Sequence, residues 1–209
     1  MEFPNKPILR LIIGVIGSGK DHAAERFFNS FPKDDYILPY LVKFASPMTK
    51  LAAKIYSADF STKEKYEAWK SIPENREKLV NLAEGMKEIH GKTFWISQTL
   101  IELKDLLNQS VMNMMYPVFA ISDFRFVFEY WAIKAFCEEN GILLEVEYVN
   151  FVSNRYEMRR DHPGEQLALY LVDNDYGPGV WTPSEFETVI HNYTTNTHEK
   201  TLNHNRSQN

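Results

Sequence analysis

Ile8-Leu9-Arg10-Leu11-Ile12-Ile13-Gly14-Val15-Ile16-Gly17-Ser18-Gly19-Lys20-Asp21 is the stretch that most restricts what this chain can fold into. An apolar run over Ile8–Ile13 reads as a fully buried strand and bends into a glycine-rich turn. A helical pattern follows over His22–Ser30, with Ala24, Phe27 and Phe28 on one side. Against the pattern G-x-x-x-x-G-K-[ST], Gly14, Gly19 and Lys20 match while Asp21 departs. Glycines admit positive φ and leave the backbone open to a ligand. Successive N–H groups can then ring a polyphosphate, and Lys20 can reach its β and γ oxygens. The next helix points its positive end at the anion. Strand, turn and helix in this order are the context the motif demands, so the stretch reads as a phosphate-binding loop rather than a plain structural turn.

Composition narrows the class of partner. The 209 residues suffice for one α/β domain with a real core, and 44% hydrophobic with 14% aromatic content is globular. A net charge of −5 argues against a nucleic-acid polymer as the main partner, whereas a small phosphorylated ligand needs only a local cationic pocket. The single cysteine, Cys137, excludes internal disulfides, fits a reducing cytoplasm and is expected on a core-facing helix. No stretch approaches the ~20 apolar residues of a membrane span, and the N-terminus lacks a signal-peptide layout. The expectation is a soluble cytoplasmic protein.

Along the chain, Pro32-Lys33-Asp34-Asp35 reads as a polar turn and Tyr40–Phe44 as a second strand. Ser46 is the candidate N-cap of a helix with Pro47 at its first position, and Leu51, Ala52 and Ile55 are expected on its buried side. Alternating strands and helices imply a parallel sheet. Ser57–Met115 is charged, helical and broken at Ile72-Pro73 and His90-Gly91, a cap of several helices. Its lysines and Arg76 form mostly a solvated face, those turned toward the glycine loop being able to bind a second anion. Trp69 and Trp95 read first as packing residues, Trp95 also as a ring able to flank a base.

Val118–Ser122 is the next buried strand, and Asp123 at its carboxyl end stands where open α/β sheets bind ligands. Asp123 can join a Mg²⁺ shell and Arg125 can grip a phosphate; a helix cap and a surface arginine are the competing reading. Glu129–Asn140 is a helix ended by Gly141, and Ile142–Val149 a further strand. Arg155, Arg159 and Arg160 fall within six residues, a plausible phosphate clamp because guanidinium forks match phosphate oxygens. His162 alone is not a metal site. Asp173–Gly179 reads as a loop, Thr188–Asn192 as the last strand, and the polar 194–209 as a weakly ordered tail.

Four segments together resemble the phage-type deoxynucleoside-5′-monophosphate kinases, within the P-loop nucleoside-monophosphate-kinase group. They are Gly14–Asp21, where those kinases also often carry Asp; Phe44-Ala45-Ser46-Pro47-Met48-Thr49-Lys50; Ile121-Ser122-Asp123-Phe124-Arg125-Phe126 with Glu129; and His162-Pro163-Gly164-Glu165, similar to H-x-S-E with Gly for Ser. Arg76, with Leu79 and Gly85, is similar to an R-x-x-L…G helix. Asn150-Phe151 departs from the relatives' Arg-Pro, leaving the first lid arginine to Arg155 or Arg159.

The resemblance implies a three-layer P-loop α/β fold in one domain, with a helical acceptor-binding cap over 57–115, a lid over 150–168 and a tail over 194–209. The implied activity is transfer of the γ-phosphoryl of ATP to a (deoxy)nucleoside monophosphate. Gly14, Gly17, Ser18, Gly19, Lys20, Asp21 and His22 would hold ATP, with Asn192 near adenine. Asp21 and Asp123 would hold Mg²⁺. Lys20, Asp123, Arg125, Arg155 and Arg159 would carry catalysis, and Phe44, Ala45, Lys50, Arg76, Trp95, Asp123, Arg125, Glu129, His162 and Glu165 the acceptor. Two other classes stay open: a P-loop kinase of another metabolite, of phosphomevalonate or dephospho-coenzyme A type, and a nucleotide-dependent switch. A homodimer is left open as well.

Overall fold

In the computed structural model, which describes residues 6–32, 36–150 and 162–206, the apolar run Ile8–Ile13 forms strand β1 at the centre of a five-stranded sheet. The other strands are β2 (Ile37–Val42), β3 (Tyr116–Ile121), β4 (Leu143–Tyr148) and β5 (Gly179–Trp181), in the order β2-β3-β1-β4-β5. β1 pairs in parallel with β3 and with β4, in the registers Ile8↔Val118 and Ile8↔Leu143. β5 is antiparallel to β4, so the expected parallel sheet is parallel only in part.

The chain divides into two compact units, Met1–Leu41 with Met114–Asn209, and Val42–Asn113. The first contains most of the sheet, with helices on both faces. Helix α1 (Lys20–Asn29) lies on one face, where Ala23, Ala24 and Phe27 pack with Ile12, Val118 and Ala120. The alternate residues of the strands point the other way. There Tyr148 leads through Trp181 to Phe186, which meets Tyr130. Tyr130 belongs to α6 (Val127–Asn140) and Phe186 to α8 (Pro183–Arg206). β1 and β3 are neighbours whose following helices, α1 and α6, lie on opposite faces, and in open α/β sheets the carboxyl ends of such a strand pair are the ligand position. Gly141, at φ +65, ends α6 in the left-handed conformation, as expected of a glycine there. Cys137 is buried on α6.

The second unit holds α2 (Ser46–Ile55), α3 (Lys63–Lys70), α4 (Pro73–His90) and α5 (Phe94–Met112). The expected breaks are present: Pro73 starts α4, and Gly91, at φ +95, ends it. Trp95 is buried and its indole N–H donates to the Ala83 carbonyl at 3.1 Å, joining α5 to α4. Trp69 packs on Phe60 and Tyr56.

Several expectations are corrected. The second strand begins three residues earlier than expected, at Ile37. Ala45, not Ser46, is the N-cap of α2, because the amide of Ser46 already closes a turn onto Lys43. Ala52 is buried on that helix but Ile55 is 53% exposed. Thr188–Asn192 is helical. Phe186, Val189 and Ile190 are its buried residues, and their spacing is one helix face rather than an alternating strand. The helix continues through Arg206, across most of the stretch read as a tail. Between α6 and α8 lies α7 (Gln166–Asp173), preceded by a 3-10 turn at Pro163–Glu165. Among the described residues no helix is long and apolar enough to cross a membrane.

Candidate functional site

The site is built around the turn that follows β1. Gly17 and Gly19 sit at φ +78 and +83, a region in which a side chain is strained. Gly14 is glycine for a different reason. A Cβ there would collide with Ser18 Oγ and come within 2.5 Å of the Val149 carbonyl at the end of β4. The turn is closed by the Ser18 amide donating to Val15 at 3.1 Å. Gly19 is the N-cap of α1 and makes no side-chain cap hydrogen bond, and the positive end of the helix follows directly on the turn. Ser18 Oγ is buried without a hydrogen-bond partner.

Lys20 Nζ folds back onto the turn, donating to the carbonyls of Gly14 at 2.6 Å and Val15 at 2.8 Å. Burial pulls its pKa down to about 8, against the opposing pull of the Glu165 carboxylate. Asp21, one residue on, accepts from Ser122 Oγ at 2.7 Å, which fastens the start of α1 to the end of β3.

Beyond Ser122 the chain presents Asp123, then buries Phe124 against Phe186, then presents Arg125. The amides of Arg125 and Phe126 both donate to Glu129 Oε2, at 2.8 and 2.9 Å. Glu129, expected at the substrate, is buried and holds the backbone at the start of α6. Burial pushes its pKa up to about 7. Phe126 is the N-cap of α6, which removes the alternative of Asp123 as a helix cap. Asp123 acts electrostatically on both Lys20 and Glu129.

Glu165 ties these pieces together. One carboxylate oxygen accepts from the Ile16 amide in the glycine turn at 2.9 Å, and the other from Arg125 NH1 at 2.6 Å. Its side chain is 4% exposed. His162, expected at the substrate, caps the 3-10 turn, its Nδ1 accepting from the Gly164 amide at 3.1 Å. Gly164 packs directly on Arg125: a Cβ would meet Arg125 Cδ at 3.2 Å and NH1 at 3.4 Å. A side chain at Gly164 would thus crowd this arginine.

Beside the turn opens a cavity of about 670 Å³, lined among others by Gly17, His22, Arg26, Glu147, Asn150 and Pro178. Glu147 is held by Arg10 at 3.2 Å and Arg26 at 3.3 Å. His22 was expected here, whereas Arg26, Glu147 and Pro178 carry no motif and were missed. Asn192 is not among the lining residues: it is exposed in α8, and the strand meant to deliver it does not exist.

The remaining candidates belong to the second unit. Phe44 is buried and Ala45 exposed at the start of α2. Lys50 is paired with Glu102 at 2.7 Å, Trp95 is a core residue, and Arg76 is exposed on α4. Arg155, Arg159 and Arg160, with residues 33–35 of the expected polar turn, lie outside the described residues.

Among the described residues no group of three or more His, Cys, Asp or Glu side chains is placed to hold a metal by itself. Asp21 and Asp123 supply hard oxygen donors flanking Lys20. That set suits a Mg²⁺ whose other positions are filled by phosphate oxygens and water. The chemistry within reach is anion binding between a glycine turn and an arginine, with carboxylates at hand for a hard cation.

No family model matches the chain, and no curated protein matches it. Among solved structures, the crystal structure of APE1195 is similar at 19% identity, covering 93% of this chain and 94% of that one, with a TM-score of 0.36. A likeness of that size carries no argument.

Proposed function

We propose that this protein transfers the γ-phosphoryl group of ATP to the 5′-phosphate of a (deoxy)nucleoside monophosphate. The observation that carries the reading is the joining of two anion-binding elements. The glycine turn with Lys20, and Arg125 at the end of the neighbouring strand, meet on the two oxygens of Glu165. A nucleotide switch needs one phosphate site; a phosphoryl transfer between two phosphates needs two.

In this reading the amides of Gly17, Gly19 and Lys20 and the Lys20 ammonium cradle the donor's β and γ phosphates, Lys20 leaving the Gly14 and Val15 carbonyls to do so. Arg125 holds the acceptor phosphate. An oxygen of that phosphate attacks the γ-phosphorus in line, the bond from the β–γ bridging oxygen to that phosphorus breaks, and ADP departs with the electron pair. No protein nucleophile is needed, because the acceptor is already an oxyanion, so positioning and charge neutralisation make up the catalysis. Mg²⁺, held by Asp21 and Asp123 partly through water, would neutralise charge building on the β–γ bridge. The cavity lined by His22 and Asn150 is the room for the donor's nucleoside. Arg76, exposed on α4, and Lys50, paired with Glu102, keep the acceptor roles that the resemblance implies. Arg155 and Arg159 keep the lid role that the resemblance implies.

Phosphorus NMR of the protein with Mg·ATP and single nucleoside monophosphates tests the reaction. New diphosphate resonances matched to the acceptor are expected for a subset of deoxynucleotides. Inorganic phosphate as the sole product would identify an ATPase or switch instead.

A further inference from the structure

Glu165 presents a chemical difficulty for an anion site. It is a carboxylate with 4% side-chain exposure, bonded to an amide of the very turn that is to receive phosphates. It is also the carboxylate acting most strongly on Lys20. An uncompensated negative charge in that place would repel a polyphosphate. The charge is not uncompensated, because Arg125 NH1 lies 2.6 Å from its second oxygen. The backbone around it is built to keep that pairing. His162 caps the 3-10 turn, Gly164 lets Arg125 lie flat against it, and Glu129 fixes the Arg125 amide from the other side.

We propose that Glu165 is a positioning residue that makes the glycine turn and Arg125 one charge-balanced unit: it sets their spacing, and its own charge is cancelled by Arg125 so that the turn accepts anions. The inference rests on the reading of the turn as a phosphate site. It assigns Arg125 a second duty, on the donor side, that a pure acceptor-binding arginine would not have. Gly164 becomes part of the unit as well, since a β-carbon there presses on both Cδ and NH1 of Arg125.

The test is calorimetric binding of inorganic pyrophosphate to the full chain, in the wild type, Arg125→Ala, Glu165→Gln and the double variant. Arg125→Ala is expected to weaken pyrophosphate about tenfold or more, because Glu165 is left charged and unpaired beside the turn. Adding Glu165→Gln should restore affinity to within about threefold of wild type by removing that charge. Arg125→Met, which keeps the aliphatic stem, replaces Arg125→Ala if that variant does not fold. A double variant as weak as Arg125→Ala would overturn the proposal, since Arg125 would then act by touching the anion and not through Glu165. Wild-type protein that binds no pyrophosphate would overturn the phosphate-site reading itself, and the proposal with it. Rescue in the double variant, together with no turnover by the wild type on any nucleoside monophosphate, would uphold the unit and sink the kinase.

Discussion

At the scale of single residues, Lys20 makes the sharpest pH statement. Its pKa of about 8 in the free protein results chiefly from burial, and a polyphosphate beside it would raise that value. Binding therefore takes up a proton once the pH exceeds about 8, and affinity for ATP should fall by up to about tenfold per pH unit above it. Titrations between pH 7 and 9.5 in buffers of different ionisation enthalpy check both the slope and the proton uptake. Glu129 makes a statement about stability. Its carboxyl, pushed up to about 7 by burial, holds its proton more firmly folded than unfolded. That contribution is complete below the unfolded value near 4.5 and is lost as pH rises from there through about 7. Glu129→Gln should remove on the order of 2 kcal/mol of that pH dependence, read as the change in denaturant midpoint between pH 4.5 and 7.5 relative to wild type. Gly14→Ala tests packing: its methyl meets Ser18 Oγ and the Val149 carbonyl, and a cost of about 1–3 kcal/mol is expected in thermal unfolding.

At the scale of elements, legibility in the sequence tracked how local the governing physics is. β1 was readable to the residue because five apolar residues and Arg10 end at a glycine whose Cβ would collide with Ser18 and the Val149 carbonyl. The breaks before Pro73 and at Gly91 were readable because proline and positive-φ glycine act on their own backbone. The last strand was not. Thr188, Val189 and Ile190 have strand propensity, but Phe186, Val189 and Ile190 are buried on one helical face, and that packing overrides propensity. β5 has only three residues and makes its pairing with β4 alone, Val146↔Trp181, so no local pattern announces it. The site divides in the same way. Lys20, Asp123 and Arg125 stand in motifs, whereas Ser122 on Asp21, Glu165 on Ile16, and Arg26 with Glu147 at the cavity depend on contacts 101 or more residues apart. Spacing along the chain carries no trace of those contacts.

At the scale of the whole molecule, the sheet unit carries the glycine turn with Lys20 and Arg125, and the helical unit carries Arg76. Arg76, exposed on α4, is diagnostic because the resemblance gives it to the acceptor and not to ATP. Arg76→Ala should raise KM for the acceptor about tenfold or more while leaving ATP affinity within about twofold, since one charge-assisted contact to a phosphate is removed from one ligand only. Equal losses for both ligands would place Arg76 in the fold of the cap instead. The central claim is the phosphoryl transfer, and its most direct measurement is ADP release from Mg·ATP with each deoxynucleoside and ribonucleoside monophosphate in turn. The account predicts stimulation by a subset of deoxynucleotides, lowered at least about a hundredfold in Lys20→Ala and in Arg125→Ala. ADP release that no monophosphate stimulates, or that survives both substitutions, would contradict it.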